Sequence, residues 1–230
     1  MKPFALLFGT SLGKKYLMAI SGLVLVLFVL GHMIGNLQVF LGPDAINLYA
    51  YRLKSMGLIL WVVRFALLAF VGIHIWAAVM LTIANRRARP NTYQRQDVSA
   101  ASFASRTMRW SGVILLSFIV YHILHYTALV TNPEYANMKI AIPGVVGLHH
   151  NVYGMMVVGF QNPLISGFYL ISVGLLCIHL AHGVSSMFQS IGIRNERWRY
   201  RLDKIAWAYG VFIFVGFAAV PLSVLCGIVK

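Results

Sequence analysis

Polar residues in this chain are gathered into short segments, and long apolar runs separate them. Five runs have the roughly 20 mainly apolar residues that a helix needs to cross a bilayer. They cover residues 16–40, 56–84, 108–130, 163–190 and 205–229. The pattern predicts an all-α integral membrane protein with five transmembrane helices. No stretch outside the runs is long enough for a second, soluble domain, so residues 1–230 are expected to form one transmembrane unit. The first run is longer than the apolar core of a cleaved leader, and four more follow it as one array. It is therefore expected to remain as a span.

Composition agrees with the pattern. Hydrophobic residues make up 60% of the chain, charged residues 10%, and mean hydropathy is +0.78. A soluble domain carries about 25% charged residues. A water-facing surface cannot be covered with so few charges, which excludes an ordinary soluble enzyme, a disordered tail and a fibre. The net charge of +14 would suit nucleic acid, but the basic residues lie mostly in short segments outside the runs. Their distribution is topological instead. Lys2, Lys14, Lys15, Arg86, Arg87, Arg89, Arg95, Arg106, Arg109, Arg194, Arg197, Arg199, Arg201 and Lys204 fall on one side. Arg52, Lys54, Lys139 and Lys230 fall on the other, and Arg64 lies within a run. Cytoplasmic loops carry the excess of Lys and Arg. The N-terminus is thus expected inside and the C-terminus outside, with a cationic cytoplasmic face suited to lipid head groups or a docked partner.

The candidate chemistry rests on histidine. Two cysteines, Cys177 and Cys226, lie in apolar runs and make neither a thiolate cluster nor a disulfide framework. Asp and Glu total five, which leaves little for carboxylate chemistry. Six of the eight histidines lie in runs: His32, His74, His122, His125, His179 and His182. Ionisable side chains are costly at membrane depth and usually face the bundle interior. They also fall into a repeat. Ser21-Gly22 precedes His32 with the same spacing as Ser111-Gly112 precedes His122, and Ile73-His74-Ile75 matches Ile178-His179-Leu180. A helix pair used twice, with a fifth helix added, predicts a four-helix bundle whose core holds the site.

Depth sorts the matched histidines. Counted from outer boundaries at Gly42, Met56, Asn132 and Pro163, His32 and His122 are each 10 residues in, His74 is 18 and His179 is 16. At 1.5 Å per residue the layers lie about 15 Å and about 24–27 Å down. Two sites are implied, each with one imidazole from each of two helices. Zinc normally takes four protein ligands, or three and a water. An iron site of two histidines and one carboxylate lacks its carboxylate. Haem suits best: its iron takes two axial ligands, and its macrocycle is a flat apolar body. Gly31 and Gly35 beside His32, Gly72 and Ala78 near His74, and Gly183 after His179 would let the ring approach. No Cys-x-x-Cys-His sequence occurs, so the haems would be b-type. His125 and His182 each follow a matched histidine by three residues. Spacing alone does not choose within these pairs; the repeat favours His122 and His179. The other two are then candidates to bond a propionate or the ligand shell, or to be polar packing.

These residues resemble the cytochrome b membrane-anchor subunit of succinate dehydrogenase and fumarate reductase, in its five-helix, di-haem form. The likeness spans essentially the whole chain. It is carried by the segment from Ser11 through Ser21-Gly22 to Gly31-His32 and Asn36, by Asn47 to Ala50, by Ile73-His74 and Tyr121-His122, and by Ile178-His179 through His182-Gly183 to Ser186. The resemblance implies that His32 and His122 bind the outer haem, and His74 and His179 the inner one. It implies an FAD flavoprotein and an iron–sulfur protein on the cytoplasmic face of a bacterial inner membrane. Electrons would pass between them, the two b haems and a membrane quinone, with menaquinone favoured. The membrane glutamate that some relatives use has no counterpart in these runs.

Weaker signals remain open. Asn36, one turn beyond His32, would cap its helix or contact quinone, with Gln38 nearby. Arg64 would pair with a propionate or reach the outer interface. Ser21 and Ser111 are expected to bond their own helix backbones. His149 and His150 belong to an outer loop, and Trp61, Trp110 and Trp207 to the interfacial belt. The alternative functional class is a cytochrome b serving a hydrogenase or formate dehydrogenase. A transporter would need broken helices and a midplane substrate site, and neither is evident.

Overall fold

The computed structural model describes residues 3–88 and 103–230. Arg89 and Arg95 of the basic inner segment, and Lys2, lie outside them. The chain runs α1 (Pro3–Gly9), α2 (Ser11–Leu37), α3 (Pro43–Ser55), α4 (Leu58–Arg87), α5 (Phe103–His122), α6 (Val152–Gln161), α7 (Pro163–Ser190) and α8 (Glu196–Leu225). Five of these elements are long and apolar enough to cross a membrane: Ser11–Leu41, Leu58–Arg87, Thr107–Thr127, Pro163–Ser190 and Glu196–Leu225. The protein is an all-α, multi-pass membrane protein.

Local chemistry sets the helix starts. Thr10, Asn151, Asn162 and Asn195 each accept a backbone N–H in the first turn of α2, α6, α7 and α8, which satisfies donors that have no partner in the helix. Pro43 and Pro163 open α3 and α7, where a missing N–H costs nothing. Gly57 joins α3 to α4 at φ +54°, a backbone conformation that glycine adopts without strain.

Three features depart from the expectation. The fifth helix begins at Glu196, not near 205, so Arg197, Arg199, Arg201, Asp203 and Lys204 are helical. Two of the cations lie over aromatic rings of the same helix, Arg201 5.3 Å from Trp198 and Lys204 4.4 Å from Tyr200. Aromatic cover and the Asn195 cap let a charged segment continue the helix. Two acidic residues, Glu196 and Asp203, therefore do lie within the fifth long helix, at its inner end. The outer connections are also folded: α3 and α6 are helical, and Lys139–Ala141 (β1) pairs antiparallel with Leu148–His150 (β2). Finally, α5 ends in one wide turn over Ile123–Thr127, in which Ala128 N–H donates to Ile123 O at 2.7 Å. Such π-turns are frequent at functional sites.

Packing follows the small residues. A methyl group at Gly210 would stand 2.7 Å from the backbone oxygen of Cys177, so α8 approaches the α7 backbone directly. Gly216 admits Met33 from α2. The centre of the molecule is α7, against which α2, α5 and α8 pack, while α4 packs on α2. In its most apolar window α4 buries 0% of its residues within the protein, against 39% for α7 and for α8. So α4 flanks the bundle, with one edge on α2. Two clusters fill the seams: Met33, Leu180 and Ile213 at mid-depth, and Val39, Ile46, Phe160, Tyr169 and Val220 towards the outer end.

Candidate functional site

The fold brings the intramembrane histidines together in two pairs. The rings of His32 (α2) and His122 (α5) have centroids 5.7 Å apart at 81°. The rings of His74 (α4) and His179 (α7) are 6.4 Å apart at 58°. Each pair takes one member from α2–α4 and one from α5–α7, so both straddle the boundary between the two repeat units.

The spacing tests whether a metal-centred group fits. Imidazole nitrogens bind a metal at about 2.0–2.1 Å, and a ring nitrogen lies about 1.1 Å from its ring centre. Two imidazoles on opposite sides of one ion therefore have centres roughly 6.2–6.4 Å apart. The inner pair matches this separation, and the outer pair stands a little closer. No cluster of three or more His, Cys, Asp or Glu suited to a metal ion occurs among the described residues. The donor set thus consists of two paired imidazoles, which suits an axially ligated macrocycle.

Each ring has a defined environment. His32 lies against Phe28 at 5.4 Å and Phe217 at 5.8 Å, and Phe118 lies 5.8 Å from His122. Nδ1 of His122 is 3.3 Å from the Tyr169 hydroxyl, which is also 3.0 Å from Nδ1 of His125. His125 itself is fully buried in the wide turn, stacked on Tyr126 at 4.0 Å. In the inner layer, Nδ1 of His74 is 3.3 Å from the Ser21 hydroxyl and Nδ1 of His179 is 3.2 Å from that of Ser111.

Several expectations on neighbouring residues change. Ser21 and Ser111 do donate to their own helices, to Leu17 O at 2.7 Å and Met108 O at 3.1 Å, yet both also face a histidine across the bundle. The space at Gly35 is taken by Tyr49, whose hydroxyl would stand 2.7 Å from a methyl group there. Gly35 therefore admits an aromatic from α3 and not a macrocycle. A methyl at Gly31, Gly72 or Gly183 would meet nothing within 4 Å. The glycines that lie against histidine rings are Gly22, with Cε1 of His74 3.4 Å from such a methyl, and Gly112, with Cε1 of His179 at 3.9 Å. The Asn36 amide donates to His32 O at 2.7 Å, a back-bond to the carbonyl one turn earlier in its own helix and not a cap of the helix end. Arg64 stacks on Trp61 at 5.0 Å and also lines an outer cavity of about 350 Å³ with Lys54, Tyr126, Lys139 and His150. His182 contacts the Ser186 hydroxyl at 3.0 Å through Nε2. Near it, Arg194 holds Asp203 in a 3.0 Å ion pair, and Ser185 donates to the same carboxylate.

Outside the spans, burial and the nearby charges of Lys54 and Lys139 lower the affinity of His150 for a proton. Lys54 is also held below its ordinary value, by burial and by Lys139 and Arg64. His149 bonds Val146 O at 3.0 Å and lies 4.6 Å from the Tyr51 ring.

Sequence reasoning gave two residues no structural role. Tyr169 bridges two histidines, but inside an apolar run it reads as packing. Only its depth is a clue: it is six residues from the outer boundary at Pro163, and His125 is seven from that at Asn132. Asn47 is 1% exposed. It accepts the N–H groups of Val152 and Tyr153 at 2.7 and 3.1 Å and so fastens α3 to α6.

A family model for the succinate dehydrogenase/fumarate reductase transmembrane subunit matches residues 84–219. No curated protein and no solved structure matches the chain. The match covers more than half of the sequence and includes His122, His125, His179 and His182.

Proposed function

Because the chain belongs to the succinate dehydrogenase/fumarate reductase transmembrane subunit family, we propose that it is the di-haem form of that membrane anchor. It would carry electrons between an iron–sulfur partner and a membrane quinone. The observation behind this reading is the pair of imidazole pairs, each drawn from both repeat units and spaced to suit one axially ligated iron. The family assignment favours this class over a hydrogenase or formate dehydrogenase cytochrome b. Association with the other subunits of the complex follows from the family. A flavoprotein and an iron–sulfur protein docked on the basic face belong to the proposal, as does a bacterial inner-membrane location with the N-terminus inside.

In this reading His32 and His122 hold the outer haem, and His74 and His179 the inner one. Bound there, haem supplies a one-electron couple whose potential is set by its ligands, hydrogen bonds and burial. The chain does the rest. It presents neutral imidazoles at membrane depth, surrounds the outer pair with Phe28, Phe118 and Phe217 to exclude water, and orients His122 through Tyr169. His125 shares that hydroxyl and His182 lies a turn inward of His179, so both tune a site without forming it. A quinone contact by Asn36 would use the second proton of its amide, since the first is donated to His32 O.

The test is one preparation of the intact complex. A pyridine-haemochrome assay should give two b haems per chain, with flavin and non-haem iron in the same sample. One haem per polypeptide in a saturated preparation would overturn the di-haem form.

A further inference from the structure

Ser21 and Ser111 lie on the helices that carry the outer histidines, yet their hydroxyls reach the inner ones. Eleven residues separate each serine from the histidine further along its helix, His32 or His122, which is about 16 Å of helix. Both serines are buried, at 1% and 2% exposure. Ser21 Oγ lies 2.7 Å from Leu17 O and 3.3 Å from His74 Nδ1. Ser111 Oγ lies 3.1 Å from Met108 O and 3.2 Å from His179 Nδ1.

The proton count decides the direction of these bonds. A serine hydroxyl has one proton and two lone pairs, and a carbonyl only accepts. The hydroxyl proton goes to the carbonyl of its own helix, leaving a lone pair facing the ring. Each imidazole therefore donates from Nδ1–H, and its Nε2 keeps the lone pair that a metal needs. The neighbouring position leaves room for the ring: a methyl at Gly22 would stand in ordinary contact, 3.4 Å from Cε1 of His74, and a side chain larger than alanine there would press on the imidazole.

We propose that Ser21 and Ser111 are positioning residues for the inner haem, each fixing the tautomer and direction of the axial imidazole that its own repeat unit supplies. The proposal rests on the paired-imidazole haem reading above. Two copies of the arrangement, related by the repeat and alike to within 0.1 Å in the serine–imidazole distance, carry it. The outer layer is built differently, with His122 held by Tyr169. So α2 and α5 each serve both haems, with a histidine for one and a serine for the other.

A bond accepted from Nδ1–H makes an imidazole more basic, which favours ferric over ferrous iron. Removing it raises the potential of that haem alone. The experiment is a redox titration of the purified complex, with low-spin EPR spectra, for wild type, S21A, S111A and the double variant. S21T and S111T serve as hydroxyl-retaining variants. S117A serves as a control, because Ser117 is exposed and bonds only Val113 O at 3.2 Å among the contacts seen. The Ser→Ala variants should raise the reduced-to-oxidised ratio of the inner haem about tenfold at fixed poise, ~59 mV for one electron. They should also shift its EPR signature and leave the outer haem unchanged. The threonine variants should restore wild-type values. Loaded alanine variants with unchanged inner-haem potential and spectrum would overturn the proposal, as would equal shifts of both haems. So would loss of the inner haem that threonine does not restore. A wild-type complex without b haem would instead overturn the haem reading itself.

Discussion

At the scale of single residues, the four paired histidines are not equivalent, and the contacts around them say how they should differ. If the proposed di-haem form holds, His32→Ala should remove the outer haem and leave the inner one largely in place, and His74→Ala should do the reverse. Redox difference spectra resolve the two components; loss of the same component in both variants would show the pairing to be wrong. Tyr169 is the hydroxyl partner of both His122 and His125. Tyr169→Phe should therefore shift the outer haem's potential alone, with both haems retained, and a titration that moves the inner haem instead would contradict this. His150 titrates outside the bilayer, with Lys54 and Lys139 beside it. The folded chain binds its proton less readily than the unfolded chain does. Stability contributed at this position is therefore present above the ordinary histidine value of 6.5 and declines as pH falls below it. A thermal-unfolding series between pH 8 and pH 5 should show this decline, and His150→Gln should flatten it.

At the scale of elements, the repeat unit is a helix pair that is internally bonded but incomplete as a site. Ser21 with His74 joins α2 to α4, and Ser111 with His179 joins α5 to α7. Each imidazole pair forms only when the two units meet. The outer cap is fastened by Asn47, whose carbonyl oxygen accepts both N–H groups that open α6. Asn47→Ala leaves these buried donors unpaired, at about 1–3 kcal/mol, and should loosen α3 from α6. Hydrogen exchange at Val152 and Tyr153 should rise while the spectra of the haems remain. The α7–α8 seam depends on Gly210, where a methyl would stand 2.7 Å from Cys177 O. The neighbour is backbone, so it cannot turn aside. Gly210→Ala should cost about 1–3 kcal/mol, the range for overpacking, seen as a lower melting temperature in detergent.

At the scale of the whole molecule, the two imidazole layers are stacked along the helix axes. Sequence depths place them about 10 Å apart by helix rise. If electrons enter at the basic inner face and leave to quinone near the outer layer, they cross much of the membrane dielectric. One charge crossing fully is worth about 2.3 kcal/mol per 100 mV. An inside-negative potential drives electrons outward, so it should speed succinate–quinone turnover in liposomes with this orientation, and its collapse should slow turnover. Rates independent of voltage, with quinone found beside the inner face, would place the quinone site elsewhere.

The five spans and the all-α class were legible in the sequence, because a bilayer imposes length and apolarity on any helix that crosses it. The repeat and the depth count also placed His32 with His122 and His74 with His179, since helix rise converts residue number into height. What height does not contain is rotation about the helix axis and the approach of one helix to another. Tertiary structure alone therefore decided that Tyr169 reaches two histidines, that Gly35 admits Tyr49 and not a macrocycle, and that Ser21 and Ser111 face the opposite layer from the histidines on their own helices. It likewise decided that α8 begins at Glu196, because the rings of Trp198 and Tyr200 cover Arg201 and Lys204 only once the segment is helical.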